Sequence, residues 1–308
     1  MKLLILGGSG FVSGHLARIA KEQGHEVWAV TRGNRALPSG VHALLGDAHD
    51  AVSLRAALRS SGARFDAALD CICYTADTAR IDLEVLPAYT NRLIVISTDS
   101  VYHPAFKRVP QDEMGVYLHD GGYGSCKRQM EEVFLDAAAH GLIDFAWTIF
   151  RPGHIFGPGS QLGSYPEHCR QPDLMEHMLQ GKPLRLVGGG RFLLHPIAAE
   201  DLCRSMLDCI SNPRAYNEIF CIGGPDVLTN AAYFELLGEI LGVPVSIEEI
   251  PLEGYLEAHP KYSGHLCDRA YSLEKLKAAG ICLPQTLLRE GLIRQVEWLR
   301  QTANARKE

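Results

Sequence analysis

The chain has 308 residues, 46% of them hydrophobic and 21% charged, with a formal net charge of −6. This suits a globular protein with a large lobe and a smaller one, and gives no electrostatic reason to expect nucleic acid or an anionic membrane as partner. The run Leu3 to Leu6 is too short for a signal-peptide core and nothing approaches the ~20 apolar residues of a membrane helix, so a cytoplasmic protein with its nine scattered cysteines reduced is expected.

Short apolar strands alternate with amphipathic helices in the first half, which predicts an α/β fold with a doubly wound parallel sheet. Strands are predicted at Leu3–Leu6, Val27–Val30, Val41–Leu45, Ala67–Cys71, Leu93–Ile96 and Phe145–Phe150. Between them, Val12, Leu16, Ile19 and Ala20 share one helical face ended by Gly24, and 50–61, 77–90 and 124–139 read as further helices. Residues 151–192 are rich in Gly and Pro and predict loops with one helix near 172–180. A helix at 199–211 and a strand at 218–222 return to the sheet. Helices near 229–241 and 286–302 follow, with Thr229 and Thr286 as N-caps.

Gly7-Gly8-Ser9-Gly10-Phe11-Val12-Ser13-Gly14 links the first strand to the first helix. Glycines at 7 and 10 let the backbone approach a pyrophosphate seated on the helix N-terminus, beside Phe11 and Val12, which predicts a Rossmann-type dinucleotide site. Ser13 holds the third glycine position. The second strand ends in Thr31-Arg32 with no acid, which favours the 2′-phosphate of NADP over NAD, the alternative. Asp47 is placed to meet the adenine amino group or to cap the helix near 50. Cys71, Ile72 and Cys73 end strand four as walls of the same site. Neither Cys71-x-Cys73 nor His168-Cys169 has a partner pair at zinc spacing, so no metal is assigned. Residues 1–158, completed by 193–225, form the expected dinucleotide-binding domain; 159–192 and 226–308 form an interleaved substrate lobe.

Tyr123 and Lys127 stand at i and i+4, neighbours on one helical face. An ammonium beside a phenol of ordinary pKa ~10 favours phenolate, as an acid/base for a substrate hydroxyl requires. Thr98 ends strand five, where sites of open α/β sheets form.

The Gly7-to-Gly14 turn, Ile96-Ser97-Thr98-Asp99-Ser100-Val101-Tyr102, Tyr123-to-Lys127 and Arg151-Pro-Gly-His-Ile-Phe-Gly-Pro158 together resemble the extended short-chain dehydrogenase/reductase superfamily. Within it, the likeness is to the NAD-dependent epimerase/dehydratase family of nucleotide-sugar enzymes, and it covers about the first 225 residues. The resemblance implies a Thr98–Tyr123–Lys127 triad, with Tyr123, Lys127, Pro152 and Gly153 against the cofactor and Asp99, Ser100, His154 and Arg191 toward the substrate. It also implies a homodimer built from the helices at 77–90 and 124–139. Three departures accompany it. Ser100 stands where 4,6-dehydratases have a glutamate, His154 where an asparagine is usual, and the place of a diphosphate-binding arginine, aligned from Asp201-Leu202, falls on Leu194 rather than Arg191. The expected function is epimerisation or oxidoreduction of a sugar or nucleotide-sugar hydroxyl. The alternatives are an NADP-dependent reductase or dehydrogenase of a non-nucleotide substrate and a non-catalytic cofactor-binding regulatory or RNA-associated protein.

Overall fold

A computed structural model describes residues 1–262 and 264–305. In chain order the first half holds β1 (Lys2–Leu6), α1 (Phe11–Glu22), β2 (Glu26–Thr31), β3 (His42–Leu45), α2 (Ala51–Ser61), β4 (Ala67–Asp70), α3 (Ala76–Val85), β5 (Arg92–Ile96), α4 (Tyr123–Ala139) and β6 (Ala146–Pro152). The second half follows with β7 (Ile155–Phe156), α5 (Leu174–Leu179), β8 (Leu184–Val187), β9 (Leu193–Leu194), β10 (Ile197–Ala198), α6 (Ala199–Asp208), β11 (Glu218–Ile222), β12 (Leu228–Thr229), α7 (Asn230–Leu241), β13 (Ile247–Ile250), α8 (Leu252–Ala258), α9 (Glu274–Ala278) and α10 (Leu288–Ala305).

Seven strands pair in parallel in the order β3-β2-β1-β4-β5-β6-β11. Because side chains alternate along a strand, Leu3 and Ile5 enter one core layer with Leu16 of α1 and Leu202 of α6, while Leu4 and Leu6 enter the other with Leu54 of α2 and Phe134 of α4. Both faces being covered, the central strands are mainly apolar. The strand order reverses between β1 and β4, which opens a crevice beyond their C-terminal ends. A third apolar cluster, from Phe156 and Leu174 through Tyr233 and Phe234 to Leu292 and Val296, lies apart from the sheet.

The strands and long helices match the sequence expectation to within a few residues; differences lie in the second half. Within 151–192, Leu184–Val187 is a strand that pairs in parallel with Ile247–Ile250. Thr229 caps α7 by accepting from Ala232 N, but Thr286 caps nothing: its N–H donates to Asp201, and α10 opens where Leu288 N donates to Asp226. No helix of the described residues is long and apolar enough to cross a membrane.

Candidate active site

The turn after β1 has the backbone a phosphate cradle needs. Gly7 and Gly8 have φ of +111° and +60°, and a Cβ at Gly8 would lie 2.5 Å from that of Ala29, so side chains are excluded there. Gly10 is the N-cap of α1, and Ser13, in the third glycine's place, accepts from Gly10 N at 2.9 Å. No acidic residue occupies the first turn of α1, leaving its positive end available to an anion. In front of it lies a cavity of about 440 Å³ lined by Gly7, Gly10, Ser13, Thr31, Arg32, Arg35, Asp47, His49, Ile72 and Tyr74, among others. This shape, with glycine where a side chain would fill it, fits a dinucleotide's adenosine and phosphates.

Of the cofactor residues named from sequence, Gly7, Gly10, Thr31, Arg32, Asp47 and Ile72 line this cavity. Asp47 lines the cavity and accepts from His49 N, while Asp50, not Asp47, caps α2. Phe11 and Val12 open α1, and Val12 packs into the core. Cys71 also packs against the core and the Cys73 thiol is buried, burial pushing both thiols up; of this segment only Ile72 lines the cavity. Pro152 ends β6 and Gly153 N donates to Ile222 O, both away from that cavity's lining. His49 and Tyr74 went unnamed because each sits in a loop without periodicity.

Tyr123 is the first residue of α4, fixed there because Asp120 accepts from both Gly122 N and Ser125 Oγ. One turn on, the buried Lys127 ammonium donates to Cys73 O and Ile96 O, each at 2.7 Å, and lies 4.5 Å from the centre of the Tyr74 ring. Burial pulls Lys127 down to about 8 against the nearby carboxylates of Asp70 and Glu131. Tyr123, half exposed, is pushed up to about 12 by the partial burial of its hydroxyl and by Tyr74 and Asp99, with Thr98 close enough to oppose the shift. Thr98 Oγ1 accepts from Ser100 N, and Thr98 and Ser100 both donate to Asp99 Oδ1 at 3.3 Å. Thr98, Asp99, Ser100 and Tyr123 are therefore brought together. Behind them the buried Arg151 pairs with Glu131 at 2.7 Å and donates to the Tyr102 hydroxyl.

Beneath Lys127, Asp70 accepts from Ile72 N at 2.6 Å, and the buried Asp82 of α3 stands against it; ligand atoms of Asp70, Cys73 and Asp82 lie within 4.8 Å of one another. Burial and the neighbouring carboxylate push Asp82 well above the usual range.

His154 joins the site's edge, its imidazole pushed down to about 3 by burial and by Arg170 and Arg269. Arg191 does not join: it is exposed, lies over the Phe192 ring, and makes no ion pair with Asp99 among the described residues. Sequence reasoning missed Lys107, Arg269 and Tyr271, which surround Asp99 from distant loops.

A Rossmann sheet with a phosphate cradle and a tyrosine–lysine helix at its open end defines a dinucleotide-dependent enzyme of the extended short-chain dehydrogenase/reductase type. Residues 3–223 match the family model of the NAD-dependent epimerase/dehydratase family, and the chain belongs to that family. A UDP-N-acetyl-alpha-D-glucosaminuronate decarboxylase of Bacillus cytotoxicus is 23% identical, over 98% of this chain and 99% of the relative. A 2'-dehydrokanamycin reductase of Streptomyces kanamyceticus is 25% identical over 82% of this chain and 70% of the relative. The solved UDP-glucose 4-epimerase of Thermotoga maritima superposes with a TM-score of 0.78 at 21% identity, covering 98% of this chain and all 100% of that one.

Proposed function

We propose that the protein oxidises or re-reduces a hydroxyl carbon of a sugar or nucleotide sugar, with NADP as cofactor and Tyr123, Lys127 and Thr98 as the residues that handle the proton. The observation that carries this reading is the placement of Tyr123 beside Thr98 and one helical turn from Lys127, whose ammonium lies 4.5 Å from the centre of the ring of Tyr74, a residue of the glycine-lined cavity. The nucleotide-sugar enzymes among the relatives support the substrate class.

The bound nicotinamide supplies the hydride acceptor and, when oxidised, a positive charge. Tyr123 takes the proton from the substrate hydroxyl; its value near 12 must fall for this, in the direction that Thr98 and Arg170 pull it, and the proposed role of the Lys127 ammonium one turn along the helix is to lower it further. Two of the three N–H donors of Lys127 are used by carbonyls, which leaves one for ribose hydroxyls. Thr98 holds the reacting oxygen. Arg32 and Arg35 at the adenosine end of the cavity support NADP over NAD. They also favour the second reading, a reductase that releases its cofactor each turn. α3 and α4 pack side by side on one face of the sheet, which supports a homodimer through them.

The test is Tyr123→Phe. Cofactor affinity is expected to stay near wild type while turnover falls about 10²-fold or more; turnover near wild type would refute the assignment. Net consumption of NADPH in step with product separates the reductase from an epimerase, which returns its cofactor unchanged.

A further inference from the structure

Asp99 is enclosed by polar groups to which the reading above gives no task. The Tyr271 hydroxyl donates to Asp99 Oδ2 at 2.5 Å, and Lys107 Nζ donates to that hydroxyl at 3.1 Å. Arg269 Nη1 stands 3.6 Å from the same Oδ2. Burial opposes ionisation of Asp99, but Arg269 and Lys107 outweigh it and hold the carboxyl below its usual range. His154, His265 and His195 are all pushed down by burial and add no charge at neutral pH. Two cations thus face one anion, and Arg170 adds a third positive charge near His154 and Tyr123.

Arg269 is incompletely used. Its Nε and Nη2 are closed off from solvent and, among the described residues, no group accepts from either, although the side chain as a whole is 12% exposed. Those two atoms form one edge of the guanidinium, whose parallel N–H bonds match the two oxygens of a carboxylate. The neighbouring Asp268 makes no ion pair with Arg269 among the described residues; its Oδ1 accepts from Leu193 N at 2.8 Å. The Tyr165 ring lies 5.5 Å from the guanidinium carbon, and the Tyr165 hydroxyl is spent on the carbonyls of Leu193 and Cys267. A buried cation with an unpaired fork carries a large desolvation cost that an anionic partner would remove.

We propose that substrate binding uncovers this edge of Arg269 and that the edge receives a carboxylate of the substrate, so that the protein acts on a sugar acid rather than a neutral sugar. The inference rests on the reading of Tyr123 as the residue facing the reacting hydroxyl. Asp99 orients Arg269 through Nη1, and Tyr271 and Lys107 hold Asp99 ionised so that it can do so.

The experiment uses cofactor-saturated protein titrated calorimetrically with UDP-glucuronic acid and with UDP-glucose, which differ at one carbon, carboxylate against hydroxymethyl. Wild type is expected to bind the acid more tightly by about tenfold or more, the scale of a charge-assisted hydrogen-bond pair. Arg269→Gln should remove the acid's advantage over UDP-glucose, and Arg269→Lys should keep only part of it, having charge without the fork. NADP affinity and melting temperature report whether the variants fold. The wild-type ratio decides on its own if they do not. Equal affinities in wild type, binding of neither compound, or a preference that survives Arg269→Gln would each overturn the proposal. Tyr123-dependent turnover of the neutral sugar, with no preference for the acid, would leave the proposed function standing and remove this inference alone. An acid preference lost in Arg269→Gln, with turnover indifferent to Tyr123→Phe, would do the reverse.

Discussion

A Cβ at Gly124 would lie 2.0 Å from the carbonyl oxygen of Ser100. The first turn of α4 therefore rests on the Thr98–Ser100 turn, and Tyr123 is held to that turn by backbone contact. Gly124→Ala is expected to push the two apart, at an overpacking cost of about 1–3 kcal/mol. A shift of ~1 Å at the reacting groups costs about 10²-fold in turnover. Steady-state kinetics beside NADP titration checks this: turnover should fall while cofactor affinity changes little. Unchanged turnover would mean that the contact does not position Tyr123.

Lys127 gives a pH signature. Its ammonium titrates at about 8 in the fold against an ordinary 10.5. Between those values the unfolded chain binds more protons than the folded one, so this residue's contribution to stability rises with pH across the window. Below it, the folded chain bears the cost of a buried charge. In urea melts of cofactor-free protein, the stability difference between wild type and Lys127→Met should move toward wild type as pH climbs from 8 to 10.5. A difference that stays flat would rule out burial as the cause of the shift.

Arg32 lines the cavity in front of the glycine turn together with Thr31, Asn34 and Arg35. Arg32→Asp is expected to reverse a preference for NADP, by about tenfold or more if one charge-assisted contact is lost and a repulsion gained. Parallel titrations of NAD and NADP measure it. Tighter binding of NAD by the wild type would reduce Arg32 to a surface residue.

Ser100 bears on which reactions the site can perform. Its hydroxyl donates to Asp99, which is itself held by Tyr271 and Arg269. A hydroxyl is too weak a base at neutral pH to take a ring proton. His154, pushed down to about 3, is a poor substitute, and Glu113 Oε1 is engaged by Cys221 N. No 4-keto-6-deoxy product is therefore expected from nucleotide sugars incubated in deuterated water. Mass spectrometry finding such a product with solvent deuterium would show that another base serves.

The sheet and its turn were legible because the central strands are mainly apolar and buried on both faces, and because Gly7, Gly8 and Gly10 cluster between the first strand and the first helix. Tyr123 and Lys127 were legible from their spacing. The second half was not. Ile247-Glu248-Glu249-Ile250 carries two exposed acids, which hides its pairing with Leu184–Val187, some sixty positions earlier in the chain. Lys107, Arg269 and Tyr271 lie on loops, where neither periodicity nor a motif reveals that tertiary folding gathers them around Asp99. Thr286 has the right chemistry for an N-cap, but Asp201 and Asp226 from other segments supply the acceptors instead.

Those distant acceptors bear on how the protein is born. β11 completes the seven-stranded sheet, so a nascent chain that has passed Ile222 holds every strand flanking the phosphate cradle. Arg269 and Tyr271 have not yet emerged. Nor has Gln295, which accepts from Gly157 N and donates to the carbonyls of Ser160 and Gln161. At ~5–20 residues per second, synthesis leaves an interval on the order of ten seconds between the two stages. During it the polypeptide carries the glycine turn and its flanking strands but lacks Arg269 and Tyr271, so Asp99 gains its enclosure only in the second stage.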